Sequence, residues 1–245
     1  MIVKSLTHPI PILVYHQIDK PPSKGTRLRG LVVNPRSFAW QMSMLKMLGY
    51  RGLSMRDLEP YLFGEKQGRV VGITFDDGYQ NIFDLALPIL ERHGHTATCY
   101  AVSDQVGKTN EWDAGLVTTK PLMNREQLLS WLDAGMDVGS HTCTHADLTK
   151  LNTKDARKEI ELSKLSLEDS LGTQIRHFCY PYGHMQAAHA QMVRDCGYIS
   201  ATMMKRGRVH SDYDPWQLPR VLMARATNPV HFFLKLMTRY EDRRT

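Results

Sequence analysis

Short apolar runs alternate with amphipathic stretches along the chain, the pattern of βα units that lay helices over a parallel sheet. The apolar runs predict strands at Ile10–Tyr15, Val70–Phe75, Thr96–Val102, Met136–Ser140, His177–Tyr180, Tyr198–Thr202 and Leu218–Met223. Between them, helical periodicity predicts helices at Pro35–Leu48, Met55–Phe63, Asn81–His93, Asn124–Asp133, Thr153–Leu171, Met185–Cys196 and Pro229–Tyr240. The punctuation agrees: Asn34-Pro35 and Asn228-Pro229 each put a capping side chain before a proline at the first helical position. Gly49, Gly94, Gly135, Gly172 and Gly197 each follow a predicted helix, where a left-handed residue commonly ends it. Seven strands with intervening helices make an α/β barrel of parallel strands the natural closed form.

Two segments escape this rhythm. Ser103–Leu122 has no clear period and is long enough to be functional or mobile, and Lys20–Val33 carries two prolines and two glycines. No repeat, low-complexity tract or linker interrupts the chain, so its 245 residues read as one domain, 1–245.

The composition, 42% hydrophobic and 23% charged, is that of a globular protein with a full core. A formal charge of +6 would suit an anionic partner. The cations are scattered, however, apart from Lys205-Arg206-Gly207-Arg208 and the terminal Arg239, Arg243 and Arg244, and no nucleic-acid-binding module accompanies them. No run of 18 apolar residues occurs, so a membrane span is not expected. Met1–Pro11 lacks the apolar core and small-residue cleavage site of a secretion signal, which leaves two expectations: a cytoplasmic protein, or a sequence that begins after a removed leader. Cys99, Cys143, Cys179 and Cys196 show no Cys-x-x-Cys spacing and read as reduced, buried thiols.

Candidate chemistry sits at two predicted strand ends. Thr74-Phe75-Asp76-Asp77-Gly78-Tyr79 puts adjacent carboxylates at the C-terminal end of a strand, the face on which barrel enzymes build their sites. Neighbouring side chains on a strand point opposite ways, but Gly78 lets the chain bend so that both can reach one pocket. Alone, the pair could equally be a solvated turn. His141-Thr-Cys-Thr-His145 follows the strand Met136–Ser140, and on a helical turn histidines four apart share a face and can ligate one cation. Cys143 would point elsewhere on such a turn. Eleven histidines make the spacing weak evidence by itself; the shared position at one end of the fold strengthens it. Two imidazoles and a carboxylate leave positions open for water, as catalytic zinc sites do, and a second carboxylate can then serve as base.

Thr-Phe-Asp-Asp-Gly-Tyr followed by Ser-His-Thr-x-Thr-His resembles the polysaccharide deacetylase family, the NodB-homology carbohydrate esterases. The resemblance continues in Tyr180-Pro181-Tyr182-Gly183 and in the opening Ile12-Leu13-Val14-Tyr15-His16, so it spans nearly the whole chain. It implies a distorted, TIM-like (β/α) barrel of about seven strands. It further implies a divalent metal, zinc first with cobalt, nickel or iron fitting the same donors, and an N-acetylated glycan as partner. Carried over by position, Asp76 is the general base and Asp77, His141 and His145 are the metal ligands. The Tyr182 backbone N–H stabilises the oxyanion, and Pro181 and Gly183 shape its turn.

Two departures stand out. The family's third motif usually carries an arginine that orients the catalytic Asp, and here position 179 is cysteine; Arg220 is the candidate replacement, or else a solvated charge at a strand edge. The family's terminal acid histidine also has no counterpart near this C-terminus. His16 at the end of the first strand resembles the permuted poly-N-acetylglucosamine deacetylase branch, since the first and last strands of a closed barrel are neighbours. Tyr180, His184 and Trp216 could line a sugar site or simply pack. His8, His93, His95, His177, His189, His210 and His231 read as structural. An amidohydrolase acting on a small non-sugar amide and a glycan-binding relative without turnover remain the alternatives, and the oligomeric state is open.

Overall fold

Helices between strands give a parallel sheet the long crossovers it needs, and the computed structural model, which describes Leu6 and residues 8–243, has that arrangement except between the last two barrel strands, which a loop joins. The elements run β1 (Ile12–Tyr15), β2 (Gln17–Ile18), β3 (Val32–Val33), α1 (Pro35–Met47), β4 (Arg51–Leu53), α2 (Met55–Leu62), β5 (Val70–Phe75), α3 (Leu87–His93), β6 (Thr98–Ala101), α4 (Arg125–Asp133), β7 (Asp137–Ser140), α5 (Thr153–Leu171), β8 (His177–Cys179), α6 (Ala187–Asp195), β9 (Ser200–Arg206), β10 (Leu218–Leu222) and α7 (Pro229–Met237). Among the described residues, strands β1, β10, β9, β8, β7, β6 and β5 pair in that order, and β1 pairs back onto β5, closing a barrel of seven parallel strands. The first strand lies beside the last, Leu13 opposite Val221.

Three local features differ from the sequence expectation. The three-residue strand β4, too short to carry a period, pairs with the first half of β5, Arg51 opposite Val70, leaving the second half to β6. The stretch before α3 is a π-type turn at Ile82–Ala86, not regular helix; Pro88, which has no N–H to donate, disfavours an unbroken α-helix there. Strand β9 runs on to Arg206, four residues past its expected end. The caps are as anticipated: Asn34 and Asn228 accept from the amides of Arg36 and His231, contacts worth about 1 kcal/mol each.

Alternation along the strands separates two packed layers. Leu13, Tyr15, Val71, Ile73, Phe75, Phe178 and Tyr180 belong to the large apolar cluster shared with the helices. Ile12, Val70, Tyr100, Cys179 and Leu218 form a second cluster, in register with the barrel interior. Gly139 is there because a Cβ on it would lie 2.5 Å from the Tyr100 ring. The four cysteines are free thiols, three of them buried. No helix among the described residues is long and apolar enough to cross a membrane.

Candidate active site

On β5, Val70, Gly72 and Thr74 share one face, and Asp76 continues that phase just past the strand. Its carboxylate meets Arg220 of β10 in a two-pronged ion pair, Nη1 to Oδ1 at 2.6 Å and Nη2 to Oδ2 at 2.7 Å. Arg220 is itself only 1% exposed and is fixed by the Met203 carbonyl at 3.1 Å and the Thr74 hydroxyl at 3.2 Å. Its Nη2 lies 3.2 Å from the Cys179 sulfur, so the small thiol leaves room for a guanidinium arriving from β10. Burial pushes the Asp76 carboxyl up, but the Arg220 charge and hydrogen bonds outweigh it and hold the group below its ordinary value.

Asp77 leaves the strand differently from what Gly78 alone would allow. Asp77 itself takes a left-handed conformation, φ 74°, and Gly78 follows at 79°, so the bend begins one residue earlier. The Asp77 Oδ1 atom lies 3.5 Å from His141 Nε2 and 3.3 Å from His145 Nε2. The two histidines do not share a helical turn: Thr142 and His145 have φ of 66° and 62°, and this loop, rather than i,i+4 spacing, brings the rings together. Cys143 faces α5 instead, its sulfur against the Glu159 carbonyl.

These three residues suit a metal ion. Two donor atoms about 2.05 Å from one tetrahedral zinc lie about 3.3 Å apart, close to the separations seen. The Cys179 carbonyl accepts from His141 Nδ1 at 2.7 Å, the usual orienting contact of a metal-ligating histidine, so that Nε2, on the Asp77 side, is the nitrogen that a cation would take once its proton is released. Burial holds the His145 imidazole below its ordinary value, more than Asp77 raises it. Burial also opposes charge on His141, but contacts with Cys179 and Asp77 overcome it and raise that ring well above. Burial likewise raises the Asp77 carboxyl, but hydrogen bonds from the two histidines prevail and keep it well below its usual range.

The site opens into a cavity of about 320 Å³ lined by His16, Asp76, Asp77, His141, His145 and Tyr182 among others. His16 Nε2 is 4.0 Å from Asp76 Oδ2. Tyr182, 48% exposed with φ 59°, sets its ring edge-on to His145 at 4.6 Å. Its turn requires Gly183, where a Cβ would fall 2.5 Å from the Met204 amide nitrogen.

Other expected site residues lie elsewhere. Tyr180, out of phase with Cys179, points into the helix-side layer and donates its hydroxyl to the Trp216 carbonyl at 3.0 Å. Trp216 packs there too, its indole N–H on the Tyr198 carbonyl and Arg194 over its ring. Neither lines the cavity, and their aromatic character reflects packing rather than sugar contact. Pro181 is buried in the turn, and His184, exposed, bonds Asp147 at 3.0 Å.

Sequence reasoning passed over Trp112. It stacks on the His145 ring with centroids 4.4 Å apart and 18° between planes. The aperiodic segment Ser103–Leu122 that carries it is folded over the site. Asn110, buried, bonds Tyr79, Asp113 and the Lys120 amide, and Asp113 lines the cavity. The only signal for these residues in the sequence was the irregularity of their segment.

A parallel barrel bearing an imidazole-carboxylate cluster and a guanidinium-held carboxylate at its strand ends has the donor set of a metal-assisted hydrolase. The family model for polysaccharide deacetylases matches residues 63–201, more than half the chain, and the protein belongs to that family. YxkH of Bacillus subtilis (strain 168), named for the same family, is 27% identical over 214 residues, covering 86% of this chain and 70% of that one. A poly-beta-1,6-N-acetyl-D-glucosamine N-deacetylase of Staphylococcus epidermidis is 25% identical over 230 residues, covering 86% and 78%. The fold matches the Streptococcus pyogenes deacetylase PplD, solved with acetate, at a TM-score of 0.82 and 24% identity, over 94% of this chain and 98% of that one. His16 and Arg220 lie outside the matched span 63–201, the first just past β1 and the second on its neighbour β10.

Proposed function

We propose that the protein is a divalent-metal-dependent hydrolase that removes N-acetyl groups from an N-acetylhexosamine-containing glycan. The observation that carries this reading is the convergence of Asp77, His141 and His145 within ligand distance of one another, with the Arg220-held Asp76 in the same cavity. Asp77, His141 and His145 would hold the cation, which would supply Lewis acidity to an amide carbonyl and lower the pKa of water toward about 7. Zinc suits two imidazoles and a carboxylate, and cobalt, nickel and iron suit them too.

The chain's own groups do the rest. Asp76, kept ionised by Arg220, takes the proton as water attacks. To the Tyr182 backbone N–H we assign stabilisation of the developing oxyanion, a contact of a kind worth about 3 kcal/mol to the transition state. His16 delivers a proton to the departing sugar amine, which is a poor leaving group without it.

The test measures acetate release from N-acetylglucosamine oligomers by metal-reconstituted protein, with metal content determined in parallel. Asp76→Asn is expected to retain metal and lose turnover by at least about 100-fold, whereas Asp77→Ala and His141→Ala lose both. Full activity in any of the three refutes the assignment.

A further inference from the structure

The residues the mechanism uses occupy the floor of the cavity; its outer walls come from the two irregular segments, and they are basic. Lys20, Arg27 and Arg29 line it from one side and Lys120 from the other. Among the described residues lining the cavity, the carboxylates are Asp19, Asp76, Asp77 and Asp113. Asp76 is matched by Arg220, Asp77 faces His141 and His145, and Asp113 is bonded to Asn110. Only Asp19 is left to set against the four outer cations, and it pairs with Lys120 at 3.2 Å. That pair ties the two segments together across the mouth. The first segment is anchored as well: Arg29 Nε donates to the Pro22 carbonyl at 2.6 Å, and the Arg225 amide donates to the Gly30 carbonyl at 2.8 Å.

We propose that this outer wall is a binding site for anionic groups on the glycan, carboxylate or phosphate, held chiefly by Lys20 and Arg27 with Arg29 and Lys120 in support. The inference rests on the deacetylase reading and names its substrate class. A cleft lined by one sign of charge concentrates ligands of the other sign. Guanidinium groups match carboxylate and phosphate oxygens in a two-pronged fashion. Charge also bears on the product. Each acetyl removed leaves an amine that takes up a proton, so a neutral homopolymer becomes a polycation that this wall repels. A glycan with its own negative charges stays attracted as deacetylation proceeds.

The experiment compares kcat/KM of the metal-loaded protein on three N-acetylated oligosaccharides of equal length: one neutral, one bearing carboxylates, one bearing phosphodiesters. At low ionic strength at least one anionic member should exceed the neutral one by about tenfold or more, and the two anionic arms identify the group. The ratio should fall toward parity as salt screens the exposed charges. Combined Lys20→Gln and Arg27→Gln, both at exposed positions, should shrink it mainly through KM. Equal turnover of all three at low salt, or a preference insensitive to the double substitution, overturns the proposal. Calorimetric binding of the same anionic oligosaccharides without acetamido groups separates it from the deacetylase reading. Binding that the double variant loses, with no acetate released from any substrate, would sink the hydrolase and keep the anion site. Absence of binding would sink the anion site alone.

Discussion

Replacing Arg220 with Met is the sharpest perturbation the site offers. Asp76 is 3% exposed and receives both guanidinium nitrogens at 2.6 and 2.7 Å, so the substitution leaves a buried carboxylate with no countercharge at its usual place. Breaking one side of such a pair costs about 3–5 kcal/mol. For a protein of this size each kcal/mol moves the melting midpoint by about 2–4 °C, so a fall of roughly 6–20 °C is expected by differential scanning calorimetry. The sign with pH is fixed. Asp76 has a depressed value in the folded protein, so the pair's stabilisation is present above the carboxyl's unfolded value and lost as pH falls through the lower folded one. Without Arg220, burial is opposed only by the lesser charges of His16 and His141, so the carboxyl rises and the acid limb of the activity profile should move to higher pH. Adding Asp76→Asn to Arg220→Met should restore more than about 2 kcal/mol relative to Arg220→Met alone, because the orphaned charge is gone. A midpoint within about 2 °C of the parent, the size of an ordinary surface substitution, with an unshifted acid limb, would refute the view that Arg220 holds Asp76.

Three further outcomes are expected. Stripping divalent metal should lower the thermal midpoint and re-adding it at about 100 times its Kd should return about 2.7 kcal/mol; the affinity should rise with pH, because the raised His141 ring must release its proton to bind, and a flat pH response would contradict that. Gly183→Ala forces a Cβ against the Met204 backbone at a φ of 72°, and a loss under about 1 kcal/mol in urea unfolding would show that the turn is softer than drawn. Burial opposes ionisation of Glu59, but His177 and Arg176 pull its value down to about 2, so its stabilisation is in place above the unfolded carboxyl value and fades as pH falls toward 2. Glu59→Gln should therefore unfold earlier than the parent at neutral pH, with a gap that closes in acid; a gap constant down to pH 3, roughly a unit below the unfolded Glu value, would count against it.

The barrel was legible because its strands are buried and period-two or continuous apolar runs survive averaging, whereas β4, three residues long, leaves no periodic trace. Asp76, Asp77, His141 and His145 were legible from motif and strand-end position, and the structure brings them together. The way they meet was not, since Asp77, Thr142 and His145 use left-handed backbone that none of those residue types advertises. Tyr180 and Trp216 stayed ambiguous because aromatic composition cannot tell a packing ring from a sugar platform; strand phase, fixed by Cys179 facing inward, puts Tyr180 in the helix-side layer. Trp112 was invisible because loop geometry, not sequence spacing, stacks it on His145.

The backbone carries a second argument for function. Among the described residues, the non-glycine positions with positive φ are Leu28, Asp77, Thr142, His145 and Tyr182. All but Thr142 line the one cavity, and Thr142 joins its two histidines. Each such position costs about 1–2 kcal/mol, a total comparable to the net stability of a whole domain, about 5–15 kcal/mol. Scattered strain would reflect accidents of packing. Four of the five follow the C-terminal ends of β5, β7 and β8, and strain gathered there means the barrel's stability is being used to hold donors in place before any ligand arrives. The same reasoning explains the Arg220 arrangement. A guanidinium rooted in β10 can hold Asp76 from across the ring because the barrel fixes both strands, so the orienting cation can move from β8 to another strand provided the vacated position becomes as small as Cys179.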